Sequence, residues 1–171
     1  TGSDVSFVIP RRNWTTGTAY DIYRHDYEEY VTGSTSTKVT ANSTATTLFD
    51  STFYVLTADR NVYKCLDNAG NANSTVEPTG TSTSVITTGD GYKWKYMYTL
   101  SASEQSNFLS TDFMAVTENG SASGDQSNVI SAAVDGSIEV VKIKAAGSGG
   151  TNGTHTGIAI RGDGTGGVAS V

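Results

Sequence analysis

Cysteine occurs once in these 171 residues, at Cys65. A single thiol excludes an internal disulfide framework and a cysteine-based zinc site, and its expected state is buried. Proline is scarce too, at Pro10 and Pro78 only, and charged side chains make up just 16% of the chain. The two histidines, His25 and His155, sit in polar stretches with no third ligand at metal-binding spacing, so neither a metal nor any other cofactor is expected. No apolar run approaches the roughly 20 residues that span a bilayer as a helix, and no basic segment leads into a signal-like stretch. The chain is therefore expected to be soluble, without membrane insertion. Its formal charge is −6 and its basic residues are scattered, which offers no basic face to a phosphate backbone and excludes nucleic acid as an expected partner.

The same thinness extends to catalysis. Serine is abundant, yet no Gly-x-Ser-x-Gly elbow is present, and no nucleophile or carboxylate constellation supports a hydrolase. A segment over residues 162–167, Gly-Asp-Gly-Thr-Gly-Gly, has the flavour of calcium-binding Gly/Asp repeats, but a single copy reads as a turn. Asn-x-Ser/Thr tripeptides begin at Asn13, Asn42, Asn73, Asn119 and Asn152, which is what chance gives in a chain this rich in Ser, Thr and Asn. No enzymatic activity is expected.

What the sequence does hold is β-forming and turn-forming. Serine and threonine supply 46 residues and glycine 19, while nine Tyr, five Phe and two Trp provide apolar mass for a core. Residues 5–9 form a short apolar strand ended by Pro10. Residues 18–27 read as a strand in which Tyr20 and Ile22 alternate with Asp21. Residues 32–47 read as a surface excursion. The runs 53–56 and 62–66, separated by turn-rich residues 58–61, predict a hairpin. Val85-Ile86 and the Asp90-Gly91 turn lead into residues 92–100, where Tyr92, Trp94, Tyr96, Tyr98 and Leu100 share one face and Lys93, Lys95, Met97 and Thr99 the other. Ser101 and Glu104 have capping-box spacing and predict one short helix of about two turns. Residues 113–116 resume a strand, 118–128 read as a polar loop, and 129–134 with 138–145 bracket Asp135-Gly136 as a second hairpin. Beyond Gly147, short apolar pairs alternate with Gly-rich turns. The expected fold is mainly β: a layered antiparallel β-sandwich with one short helix in a loop, spanning residues 1–146, followed by a Gly-rich extension over 147–171. Opening at Thr1 and closing in Gly-rich sequence, the chain is expected to be a piece of a longer polypeptide.

Three stretches, in order, carry a resemblance: Phe7-Val8-Ile9-Pro10-Arg11-Arg12-Asn13-Trp14, Val62-Tyr63-Lys64-Cys65-Leu66-Asp67, and Gly89-Asp90-Gly91-Tyr92-Lys93-Trp94-Lys95-Tyr96-Met97-Tyr98. Together they resemble the baseplate wedge proteins of T-even type contractile-tailed phages that form a dimer within each wedge. Asn13 stands where that family's signature has Asp. The closing Gly-rich stretch is similar to a β module of marine cyanobacterial phage virion proteins. The resemblance implies a virion component of the tail baseplate, a homodimer that holds neighbouring wedge proteins. It marks Arg11, Arg12, Trp14, Cys65, Asp90, Gly91, Tyr92, Trp94 and Tyr96 as structural or interface residues. The competing reading is a secreted or surface-displayed β-sandwich adhesin that binds glycans through the Tyr-rich strand and the Ser/Thr loops.

Overall fold

The computed structural model describes residues 5–24, 43–45, 47–138, 141, 148–149, 151, 153–159 and 167–169. The chain divides into two compact units, Thr1–Ala133 and Val134–Val171. In the first unit the elements are β1 (Phe7–Pro10), β2 (Tyr54–Leu56), β3 (Asn61–Asn68), β4 (Ile86–Thr87), β5 (Tyr92–Thr99), α1 (Ala102–Phe108), β6 (Phe113–Val116), a 3-10 turn (Asn119–Ser121) and α2 (Gly124–Ala132). In the second, β7 (Ile158–Ala159) pairs antiparallel with β8 (Val168–Ala169).

The first unit is mainly β and sandwich-like. One sheet runs β2-β3-β5-β4, and β1 pairs with β6 in a separate ribbon. Every strand pair is antiparallel, and tight turns join β2 to β3 and β4 to β5. The β2–β3 hairpin is the one that turn-rich residues 58–61 predict, with Thr57 N–H donating to Asn61 O at 2.9 Å and Arg60 taking φ +65°. The β4–β5 hairpin closes through Asp90-Gly91, where Gly91 N–H donates to Thr88 O at 3.0 Å.

Strand β5 buries every second residue, so Tyr92, Trp94, Tyr96 and Tyr98 face inward, as the period of two predicts, while Lys93 is exposed. Two compensating bulges modulate this pattern. Val62 faces Tyr98 while Tyr63 faces Tyr96, which leaves Met97 as the extra residue; Cys65 faces Trp94 while Asp67 faces Lys93, which leaves Leu66 as the other. The first bulge re-aims the strand between two apolar clusters. One gathers Tyr20, Phe53, Tyr63, Cys65, Tyr92, Trp94 and Tyr96, and the other gathers Leu56, Val62, Tyr98, Leu100 and Met114.

Helix α1 begins as the capping-box spacing predicts. Glu104 N–H donates to Ser101 Oγ, and Ser101 N–H donates to the Glu104 carboxylate at 2.8 Å. Three expectations are corrected. Residues 118–128 are not a plain loop and 129–132 are not a strand, because α2 occupies Gly124–Ala132, so the fold has two short helices instead of one. Gln126 and Val129, three residues apart, are its buried positions, and Val129 joins the Trp94 cluster. Packing against β5 therefore outweighs the β preference of Val129 and Ile130. Residues 18–24 form no strand, because side chains take the place of a ladder partner: Tyr20 N–H donates to the Tyr92 hydroxyl, Asp21 N–H donates to Thr52 Oγ1, and Tyr20 O accepts from the Asn68 amide. Residues 25–27, most of the 32–47 excursion, and most of 138–145 lie outside the described residues.

Candidate functional site

The three signature stretches are far apart in sequence and share the apolar cluster around Trp94, and the first and third are also linked through one side chain, Asp90. Asp90 follows β4 in the tight turn, and its Oδ2 accepts from Ser74 Oγ at 3.1 Å, Thr75 N–H at 2.8 Å and Val76 N–H at 3.0 Å. Its Oδ1 accepts from the Thr88 hydroxyl and from Tyr92 N–H at 3.3 Å. Ser74 passes the connection on, accepting from the Trp14 indole N–H at 3.1 Å. Main-chain bonds reinforce it: Ser74 N–H donates to Thr18 O at 2.8 Å and Gly17 N–H to Ser74 O at 2.7 Å. From the other side, the Tyr92 hydroxyl donates to Ala72 O and accepts from Tyr20 N–H at 3.2 Å.

Gly91 belongs to this hub for a steric reason. Its φ is +87°, and a Cβ there would lie 3.2 Å from the Ala69 Cβ. Gly91→Ala is expected to lower the unfolding free energy by about 1–3 kcal/mol through positive-φ strain and that close contact. A urea melt followed by tryptophan fluorescence checks this, and an unchanged midpoint would remove Gly91 from the hub.

The packed half of the site is the aromatic face of β5. Trp94 is fully buried, stacked on Tyr92 with ring centroids 5.3 Å apart and edge-on to Tyr20 at 5.8 Å. Cys65 and Ile86 flank it in register on the two neighbouring strands. The Cys65 thiol is buried, as a lone cysteine in an aromatic core is expected to be. Tyr96 sits edge-on to Tyr63 at 6.0 Å and shares a 2.7 Å hydrogen bond with Thr99. Trp94 Nε1 is the one buried side-chain polar atom with no hydrogen-bond partner among the described residues.

Arg11 and Arg12 occupy the exit of β1. The Arg11 guanidinium donates to Ser110 O at 2.7 Å and to Asn13 Oδ1 at 2.9 Å, so it holds carbonyl oxygens of its own chain. Arg12 contributes mainly through its backbone: Leu56 N–H donates to Arg12 O at 2.7 Å, and Trp14 N–H donates to Leu56 O at 2.8 Å. This bridge ties the segment after β1 to β2.

The electrostatics favour structure over proton transfer. Burial opposes ionisation of Asp90, but the Thr88 hydroxyl and the Thr75, Val76 and Tyr92 amides hold its carboxyl well below the usual carboxylate range. A carboxylate of such low basicity is a poor general base near neutral pH. Burial pushes the phenols of Tyr20, Tyr63, Tyr92, Tyr96 and Tyr98 up. Each of these rings therefore stays neutral and serves as packing mass with a hydroxyl donor or acceptor.

Two sites escaped the sequence. Asp21 is fully buried and its carboxylate accepts from Ser43 N–H at 2.8 Å, Thr52 N–H at 2.7 Å, Thr52 Oγ1 at 3.1 Å and the Ser43 hydroxyl. A groove of about 610 Å³ also opens between the end of β5, α1 and the start of α2, bordered by Tyr96, Glu104, Phe108 and Gln126. The paired short helices bound it, and only one of them was foreseen.

Among the described residues, no group of three or more His, Cys, Asp or Glu could hold a metal ion, and no helix is long and apolar enough to cross a membrane. His155 is exposed and contacts Thr151 O, while His25 and nearly all of residues 162–167 lie outside the described residues. Comparison with family models, with curated proteins and with solved structures finds no match to the chain.

Proposed function

We propose that this chain is a structural subunit that works by assembly, as a connector in the baseplate wedge of a contractile phage tail. One observation carries the reading. The three ordered segments that resemble the wedge family pack into one apolar cluster through Trp14, Cys65 and Trp94, and the first and third are further joined by the hydrogen bonds from Trp14 to Ser74 and from Ser74 to Asp90. A rigid scaffold with its acceptors engaged internally suits a part that transmits load between neighbours. In this reading the chain pairs with a second copy and contacts other wedge proteins through its remaining surface, with buried area and aromatic anchors supplying the association energy.

The test is compositional. Peptides from this chain should appear by mass spectrometry in purified, DNA-free tail baseplates of the phage that encodes it, at a stoichiometry set by the wedge symmetry. Arg11→Ala, which frees Ser110 O and Asn13, should reduce incorporation without unfolding the chain. Recovery of the protein only outside particles, or on a host surface bound to glycan, would favour the adhesin instead.

A further inference from the structure

Among the described residues, the strand edges of the first unit are closed unequally. The outer edge of β2 is taken by the segment after β1, where Leu56 N–H donates to Arg12 O and Trp14 N–H to Leu56 O. The outer edge of β6 is taken by Ser110 N–H, which donates to Phe113 O, and by the Tyr98 hydroxyl, which donates to Ala115 O. Strand β1 has β6 as its one neighbour, and their register, Phe7 opposite Val116, continues to Arg11, whose N–H donates to Asp112 O. Main-chain groups alternate sides along a strand, so Phe7, Ile9 and Arg11 turn theirs toward β6 while Ser6, Val8 and Pro10 turn theirs away. Neither the N–H nor the C=O of Val8 meets a partner among the described residues. Pro10 falls on the outward set, where its missing N–H costs the ribbon nothing. The same edge is apolar. Val5 is 79% exposed, Phe7 71%, Val8 43% and, across from Pro10, Phe113 42%. Residues 5–10 hold no charged side chain, although charge is a usual guard of an open edge.

We infer that β1 is the surface through which two copies of the chain pair, edge to edge and antiparallel, around a two-fold axis at Val8. An antiparallel edge is self-complementary under a two-fold, because each donor that one strand offers meets an acceptor of the other. With Val8 opposite Val8, these two residues exchange both main-chain bonds, Phe7 of each copy lies across from Ile9 of the other, and Ser6 N–H faces the Pro10 carbonyl. A register that set Pro10 against Val8 would leave the Val8 C=O without a donor. The two ribbons become one four-stranded sheet, with apolar side chains continuous across the join and no charge brought against charge within it. The exposed apolar side chains and the backbone between them amount to roughly 1,000 Å² over both copies, at the low end of specific interfaces, so the pairing is reversible. This pairing rests on the assembly reading, which calls for a second copy, and gives that contact its place.

The experiment compares variants of the full chain by sedimentation equilibrium. Val8→Pro removes the outward N–H and leaves the main-chain bonds of Phe7, Ile9 and Arg11 to β6 in place, a change that an edge strand tolerates. It should weaken the dimer at least about tenfold with the urea midpoint nearly unchanged, whereas Val8→Thr, which keeps the N–H, should dimerise as the wild type does. Val8→Cys gives a readout that does not depend on the proline variant folding. Opposed Cα atoms of a hydrogen-bonded antiparallel pair lie about 5.5 Å apart, within disulfide reach, so copper-phenanthroline in air should cross-link this variant. Val76→Cys, exposed elsewhere on the same unit, should not cross-link, and Cys65 is buried away from the reagent. A folded Val8→Pro chain that dimerises like the wild type, or cross-linking no faster at Val8→Cys than at Val76→Cys, would overturn the pairing; recovery of that chain in baseplates would leave the assembly reading standing. A wild-type chain monomeric at every concentration, whose complex with another subunit is lost in Val8→Pro, would give the edge to that subunit and overturn self-pairing. Pairing through Val8 in a chain absent from baseplates would sink the assembly reading alone.

Discussion

Trp94→Ala lowers the unfolding free energy by about 3–5 kcal/mol, the cost of removing the largest side chain in a core that relaxes only in part. Trp94 is fully buried, contacts Tyr92 and Tyr20 ring to ring, and lies between Cys65 and Ile86 on adjacent strands. Its loss leaves a cavity at the centre of the four-stranded sheet. Trp94→Phe supplies the control. Because Nε1 has no partner among the described residues, the phenyl ring forfeits no hydrogen bond to them, so this variant should lose less than half as much as the alanine. Urea denaturation followed by far-UV circular dichroism reads both. An alanine variant that loses less than about 1 kcal/mol would put the indole outside the core.

Asp90→Ala comes second, with an expected loss of about 2–4 kcal/mol, since donors in the 74–76 segment, Thr88 and Tyr92 lose a charged acceptor at once while water replaces it only in part. The effect carries a pH signature. The folded carboxyl is held below its unfolded value, so its contribution is fully present above about pH 4 and is lost as pH falls toward the folded value. Glu104 acts in the same direction: burial opposes its ionisation, and the bonds from Ser101 and Thr117 outweigh that. The wild-type chain should therefore lose stability between about pH 4 and pH 2, and Asp90→Ala should flatten that limb. An identical acid limb in the variant would show that Asp90 is not the acid-sensitive clamp.

Local patterns were legible in the sequence and distant closures were not. The alternation of residues 92–100 is enough to name the buried face of β5, because a strand half in the core imposes a period of two. The Ser101 and Glu104 spacing suffices for α1, because both capping bonds span three residues. Helix α2 was obscured because Gln126, a polar residue, takes one of its two buried positions, which leaves no apolar stripe at helical spacing. Asp21 misled for the opposite reason. A carboxylate between Tyr20 and Ile22 looks solvent-facing, yet donors from Ser43 and Thr52, brought in from 22 and 31 residues away, satisfy it inside the fold. The Asp90 hub was half visible: Asp90-Gly91 announced the turn, but nothing local in the sequence links Trp14 to Ser74 across 60 residues.

The proposed assembly role is tested most directly by sedimentation velocity of the purified chain, alone and mixed with the candidate wedge proteins encoded beside it. It predicts a reversible dimer alone and a larger, stoichiometric complex in the mixture, with Asp90→Ala weakening both in step with its loss of stability. A folded monomer at every concentration that co-sediments with no wedge protein, above all one that turns over an ester or glycan substrate, would contradict it.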